Sequence, residues 1–174
     1  INEFDYCPDT LYGASKVDGE KKVRFLRAKI PCRWFIVRPT SIWGPWFDVP
    51  YKNFFLSIIN GRYIHPNVPS IPKSFGYVKN SVFQMRMICE GFNVDLNQKV
   101  FYMADYPPID VLSMANIIQR SASTKAIRSV PVLILRMIAL VGDFFRFLGI
   151  KSPPLTTFRL NNLLTPMIYD LQPL

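Results

Sequence analysis

Tyr51, Phe54, Phe55, Ile58 and Ile59 recur at i, i+3, i+4, i+7 and i+8, with Gly61 just past the last of them. One apolar face at helical period, followed by a glycine, predicts an amphipathic helix and its C-terminal stop. Upstream, residues 12–29 predict a helix closed by the turn Ile30-Pro31. Cys32 to Arg38 then form a β-branched and aromatic run with little alternation, the pattern of a strand buried on both faces of a parallel sheet. A Pro/Gly/Trp-rich loop occupies 39–50. Downstream, Phe75 to Val78 predict a short strand, and Val78, Val82, Met85, Cys89 and Phe92 form one helical stripe. Val100 to Met103 predict another strand. Asp110 is a good N-cap before Val111, Ala115, Ile118 and Ala122, although Ser113 at N3 leaves the capping box incomplete. Strands alternating with helices define an α/β chain.

Residues 131–148, PVLILRMIALVGDFFRFL, are nearly long enough to span a membrane, but Arg136, Asp143 and Arg146 interrupt them. At 100° per residue the three charges fall within about 80° of one another, on one polar face. An amphipathic helix covering a core is the first expectation. A helix lying on a membrane surface is the second, and a true span the third.

The chain has 174 residues, enough for one domain or one and a fraction and for a core that needs no disulfides. At 49% hydrophobic and 19% charged residues it is far too apolar to be disordered. Its 15 prolines exceed the roughly 9 that a usual share of ~5% would give, so the structured segments are short. Twenty-one basic against 12 acidic residues leave a net charge of +9, which suits polyanions: nucleic acid, anionic lipid or phosphorylated small molecules. Cys7, Cys32 and Cys89 show no CxxC spacing, so neither a zinc site nor a disulfide framework is indicated, and a reducing cytoplasm is the default. The first residues, Ile1 to Asp5, carry no basic-then-apolar stretch that reads as a signal peptide.

Tyr12 and Lys16 stand at i and i+4, one above the other on a helix face. A tyrosine is a poor proton acceptor at neutral pH, and a nearby ammonium favours the phenolate needed for acid/base work. The spacing also recurs by chance on exposed helix faces. The basic segment Lys21 to Lys29 reads as a solvated face, with nucleic-acid binding the weaker alternative for want of a recognition motif. Arg38, Arg62, Arg86 and Arg159 are candidates for a nucleotide diphosphate or simply surface arginines. Trp43, Trp46 and Phe47 would wall a ligand pocket or merely pack. His65, with no acid or cysteine at ligand spacing, reads as structural.

Three blocks, in order, carry a resemblance: Tyr12-Gly-Ala-Ser-Lys16, the strand running into Arg38-Pro-Thr-Ser-Ile-Trp-Gly-Pro-Trp46, and Phe75-Gly-Tyr-Val-Lys-Asn80. Together the chain resembles the extended short-chain dehydrogenase/reductases, the NAD-dependent epimerase/dehydratase family that acts largely on nucleotide sugars. The later helices and the segment from Pro154 to Asp170 look like that family's C-terminal substrate-binding region. The resemblance implies a partial Rossmann-like fold, a doubly wound parallel sheet, with a small C-terminal substrate-binding domain. Residues 1–50 would be the remnant of the dinucleotide-binding domain and 51–174 mainly the substrate domain, with 75–105 returning to the Rossmann core.

By the same resemblance Tyr12 is the catalytic tyrosine, and Lys16 tunes it and holds the nicotinamide ribose. Pro39 and Thr40 line the nicotinamide pocket. Ser41, Trp46, Tyr77 and Asn80 fall at substrate-binding positions, Ser41 where many members carry asparagine, and Lys79-Asn80 replaces the usual acidic pair. The implied cofactor is NAD or NADP. The eight glycines, however, include no GxG pair, the turn that admits the pyrophosphate. The chain therefore reads as the C-terminal part of an enzyme, inactive alone and not expected to hold the cofactor by itself. Implied partners are a nucleotide sugar and a second copy of the chain, through the 12–29 helix or by strand pairing; nucleic acid is not among them. Peripheral membrane contact through 131–148 remains open. The parent would be cytoplasmic or membrane-associated and serve cell-surface polysaccharide synthesis, such as lipopolysaccharide. The competing readings are a steroid- or lipid-linked-substrate dehydrogenase of the same family and a non-catalytic binding module.

Overall fold

The apolar run from Cys32 to Arg38 becomes a strand from Ile36 onward, and its partner is parallel. The computed structural model describes residues 4, 6–29, 31–48, 51–91, 99–150, 153 and 155–171. In chain order the elements are α1 (Leu11–Leu26), β1 (Ile36–Pro39), β2 (Ser41–Trp43), α2 (Tyr51–Ile59), β3 (Ile64–Pro66), β4 (Pro72–Lys73), β5 (Phe75–Tyr77), α3 (Val78–Glu90), β6 (Val100–Met103), β7 (Ile109–Asp110), α4 (Val111–Ser121), β8 (Arg128–Val130), α5 (Val132–Phe147) and α6 (Thr157–Leu164). Ile30 of the expected turn, Phe92 of the expected helical stripe and Pro154 of the C-terminal segment lie outside the described residues. The fold is α/β, and the chain divides into two compact units: Ile1–Gly44 with Phe75–Tyr106 and Tyr169–Leu174, and Pro45–Ser74 with Pro107–Ile168.

In the first unit, β1 pairs in parallel with β6 from Ile36↔Val100 to Pro39↔Met103, and β2 pairs in parallel with β5 from Ser41↔Phe75 to Trp43↔Tyr77. Phe101 and Met103 alternate inward to full burial, and Phe35 meets Phe101 edge-on at 6.2 Å. The strand expected over 32–38 is shorter than its apolar pattern implies, and half-buried where burial on both faces was expected. Its side-chain pattern reports a capacity for burial, and among the described residues β1 is paired along one edge only, with β6. In α3 the buried positions are Ser81 and Ile88, whereas the predicted Val82 and Cys89 are exposed. One polar bond and one close approach set the face: Gln84 Nε2 donates to the Ala104 carbonyl, and the small Ser81 fits against Gly76, its Oγ 3.0 Å from where a Cβ there would stand.

In the second unit, β3 pairs in parallel with β8, and β4 pairs antiparallel with β7. The helix predicted from Tyr51 to Ile59 forms over those residues, with Ile58 buried and Gly61 at φ +64° beyond its end. Asp110 caps α4 as expected, accepting from Ser113 N at 3.0 Å, and also receives Ile71 N at 2.8 Å and Ser70 Oγ at 2.9 Å. Those donors outweigh the upward push of partial burial and hold its carboxyl below the ordinary aspartate range. His65 is buried, with Nδ1 3.0 Å from the Tyr63 hydroxyl, and burial lowers its pKa against the opposing pull of Asp110.

α5 covers a core, as expected, but with a narrow stripe and not with most of its large apolar side chains. Its buried stripe is narrow, Leu135, Ala139 and Gly142, packed with Leu160 of α6 and flanked by Val130, Leu155 and Leu164. Asp143 is turned toward α6, where its two oxygens accept from Thr157 N at 3.3 and 3.2 Å. The large side chains Leu133, Met137, Leu140, Val141 and Phe144 stay exposed. At its C-terminal end the stripe narrows to Ala139 and Gly142, and at Gly142 the neighbouring backbone comes so close that a Cβ there would stand 1.8 Å from the Leu155 carbonyl oxygen.

That contact makes the expected effect of Gly142→Ala opposite to helix propensity. Alanine would gain about 1 kcal/mol in an unobstructed helix. Here the overlap with Leu155 is expected to give a net loss of roughly 1–3 kcal/mol, measured by chemical denaturation against a Gly19→Ala control, since nothing lies within 4 Å of a Cβ at Gly19.

Candidate active site

The local frame of the Tyr12/Lys16 pair begins with Thr10. It caps α1 by accepting from Gly13 N at 3.0 Å, and the following turn stacks Tyr12 and Lys16 on one exposed face. The Lys16 ammonium lies 5.1 Å from the centroid of the Tyr12 ring, and the tyrosine is 72% exposed. A cation held over a phenol ring, both open to solvent, is an arrangement a substrate hydroxyl can approach.

One turn further along α1, Glu20 anchors the helix. Its Oε1 accepts from Arg38 Nη2 at 2.7 Å and its Oε2 from Arg38 Nε at 3.1 Å, a two-pronged bond from helix to strand. Tyr6 Oη and Arg24 Nη2 also donate to Oε1, at 2.7 and 3.1 Å. Arg38 Nη1 in turn donates to Tyr102 Oη of β6 at 2.6 Å, and the Tyr102 ring stacks on Tyr169 at 4.8 Å. Burial pushes the Glu20 carboxyl up, but the donors from Arg38, Tyr6 and Arg24 outweigh it and leave it below the ordinary glutamate range. Burial likewise pulls Arg38 down, and its bonds to Glu20 and Tyr102 more than reverse this. Arg38 is therefore engaged within the fold rather than offered to a diphosphate. Arg86 pairs with Glu90 at 2.6 Å and Arg159 donates to the Pro153 carbonyl at 2.6 Å.

At the end of β1, Pro39 leads into Thr40, whose N–H and hydroxyl both donate to the Met103 carbonyl, at 3.1 and 2.8 Å. Ser41 opens β2, half-buried and paired with Phe75. Trp43 packs against Tyr77 at 5.1 Å between centroids. Gly44, at φ +151°, passes so close to α3 that a Cβ there would meet Val78 Cγ1 at 2.4 Å, which no other residue type allows. Trp46 lies in the second unit, fully exposed and at φ +73°.

Tyr77 occupies the N-cap of α3 without a capping side chain of its own. Asp105 takes that role: its Oδ2 accepts from Tyr77 N at 2.8 Å and its Oδ1 from Asn80 Nδ2 at 3.0 Å. A carboxylate at a helix N-terminus is stabilised by the unsatisfied N–H groups there. The amide of Asn80 is thus partnered by an acid from the end of β6. Within the first unit the structure brings together Tyr12 with Lys16, Trp43 with Tyr77, and Asn80 with Asp105. Glu20 and Asp105 escaped sequence reasoning; the one visible hint for Glu20 is its place in the series Tyr12, Lys16, Glu20, Arg24, each four residues on.

A largely parallel-stranded α/β chain with a Tyr/Lys pair on a helix fastened to the strand that ends at Pro39 has the fold of the nucleotide-sugar epimerases and reductases, the class its three sequence blocks resemble. Among solved structures it is similar to UDP-N-acetylglucosamine 4-epimerase from Methanobrevibacter ruminantium M1, in complex with UDP-N-acetylmuramic acid, at TM-score 0.60 and 20% identity over 75% of this chain and 44% of that one. UDP-glucuronic acid 4-epimerase from Bacillus cereus, in complex with NAD, gives TM-score 0.60 and 14% identity over 72% and 42%. For dTDP-4-dehydrorhamnose reductase from Bacillus anthracis str. Ames, in complex with NADP, the values are 0.53 and 21%, over 71% and 41%. The chain spans less than half the length of these proteins, and at such identities the likeness is one of fold. No family model and no curated protein matches it.

The Glu20 bridge carries a sign. Because its folded pKa is depressed, its stabilisation is complete above the unfolded glutamate value and is lost as pH falls through the lower folded value. Glu20→Gln is expected to cost roughly 1–3 kcal/mol near neutral pH and to flatten the acid limb of the stability profile, read from thermal melts across acidic to neutral pH.

Proposed function

We propose that the chain is the C-terminal part of an NAD(P)-dependent nucleotide-sugar epimerase or dehydratase of the extended short-chain dehydrogenase/reductase kind, serving cell-surface polysaccharide synthesis in the cytoplasm. The observation that carries this reading is the Lys16 ammonium seated over Tyr12 on a helix that Glu20 and Arg38 fasten to the strand that ends at Pro39, just before Thr40. The similarity of fold to nucleotide-sugar enzymes supports it.

The residues present suit the nicotinamide end of the cofactor: an exposed phenol and ammonium share one helix face, and Thr40 is fixed at a strand end, where such folds place ligands. NAD or NADP, when bound, supplies the hydride acceptor and donor for a sugar carbinol. Tyr12 takes or returns the proton of that carbinol at its hydroxyl oxygen. Lys16 stabilises the phenolate and donates to the ribose. Pro39 and Thr40 shape the wall beside the nicotinamide, while Ser41, Tyr77 and Asn80 of the first unit contact the sugar nucleotide. With no GxG among its glycines, this chain alone leaves the pyrophosphate without a turn and is inactive.

The same reading gives α1 a partner. None of its residues is buried, and Leu11 and Phe25 are 93% and 80% exposed. A second copy of the chain packs there. Sedimentation is expected to show a multiple of 20.1 kDa that reverts to 20.1 kDa on Leu11→Glu with Phe25→Glu; a monodisperse unsubstituted monomer would count against the pairing.

Calorimetry of NAD(H) binding to this chain, and to the chain extended to its natural N-terminus, tests the whole proposal. Binding by the extended protein alone is the expected result, and Tyr12→Phe in it is expected to lower kcat about 10²–10⁴-fold. Absence of binding to both would leave a binding module built on the same fold.

A further inference from the structure

α5 has an apolar face wide enough to dock on something, and it is turned away from the core of its own unit. At 3.6 residues per turn, Leu133, Met137, Leu140, Val141 and Phe144 fall within about 100° of one another, opposite the buried stripe. Each is between 53% and 71% exposed. Soluble proteins seldom present so continuous a patch without using it. Within that arc there is no hydrogen-bonding side chain, whereas protein–protein interfaces carry about one hydrogen bond per 100–200 Å².

Charge selects the occupant. The unit that contains α5 holds ten Lys/Arg against three Asp/Glu, a net +7 of the chain's +9. Arg136 and Arg146 are exposed on α5, Lys125 and Arg128 just before it and Arg159 after it. The single acid of the helix, Asp143, is spent on Thr157 N. A second copy would set this basic unit against itself, while an anionic lipid surface meets both the apolar face and the flanking cations. The helix lies on such a surface rather than crossing it: 16 residues reach about 24 Å, short of the ~30 Å hydrocarbon layer. Among the described residues no helix is long and apolar enough to cross a membrane.

We propose that α5 is an interfacial helix that docks this chain on anionic membranes through Leu133, Met137, Leu140, Val141 and Phe144. The inference does not rest on the proposed chemistry, because its test uses neither cofactor nor sugar.

The test is co-sedimentation of the whole chain with vesicles of phosphatidylcholine mixed with phosphatidylserine, beside vesicles of phosphatidylcholine alone. Capture by the mixed vesicles is expected, at least about tenfold weaker on the neutral ones. Met137→Glu with Phe144→Glu is expected to weaken it at least about tenfold, with circular dichroism unchanged. On the unsubstituted chain, amides of residues 132–148 are expected to exchange more slowly with deuterium when the mixed vesicles are present, a readout that needs no variant to fold. The proposal is overturned by no capture, by equal capture on neutral vesicles, by undiminished capture of a folded double variant, or by unchanged exchange over 132–148. It is also overturned if the double variant abolishes a lipid-free dimer, which would assign the face to a second copy.

Discussion

The two-pronged bond between Glu20 and Arg38 is the constraint on which the first unit depends. α1 buries no residue, so hydrophobic packing does not fix its rotation. What fixes it is a carboxylate that accepts from Tyr6, Arg24 and Arg38 and an arginine that passes the link on to Tyr102 and, through ring stacking, to Tyr169. Directional bonds specify an angle where apolar contact would tolerate several. The face that carries Tyr12 and Lys16 is thereby set relative to the strand that ends at Pro39, just before Thr40.

Legibility in the sequence followed the range of the interactions. The α2 and α4 helices were readable because their signals are local: an apolar face with Gly61 beyond it, and an acid at the cap of α4. The class of fold was readable from three short blocks in order. Burial was harder to read. The run before Pro39 is apolar enough for the middle of a sheet yet is half-buried, since side-chain pattern does not record how many neighbours a strand has. In α3 the period was right and the face was wrong, because Gln84 is held by the Ala104 carbonyl twenty residues away and Ser81 packs against a glycine that has no side chain to announce the contact. In α5 the charges pointed to a polar outer face, but Asp143 is needed at the start of α6 and Gly142 lies against the Leu155 backbone.

The site shows the same division. The Tyr12/Lys16 pairing is one helical turn and was visible at once; Thr40, Tyr77 and Asn80 were placed by resemblance. The groups that hold them, Glu20 and Asp105, act across 18 to 28 residues of chain, and nothing in their immediate sequence announces it. Asp105 is informative because it explains a departure: with an acid supplied from the end of β6, an amide at position 80 is the partner that avoids setting carboxylate against carboxylate.

α6 has eight residues, too few to persist as a helix without support. Its first turn receives the Asp143 carboxylate, and the carbonyl of Asn162 in its last turn receives the ammonium of buried Lys73 at 2.6 Å. Anion at the amino end and cation at the carboxyl end match the polarity of the peptide dipoles. The direction of the chain through α6 is therefore encoded by charge as well as by connectivity: threaded backwards, the same segment would meet repulsion at both ends.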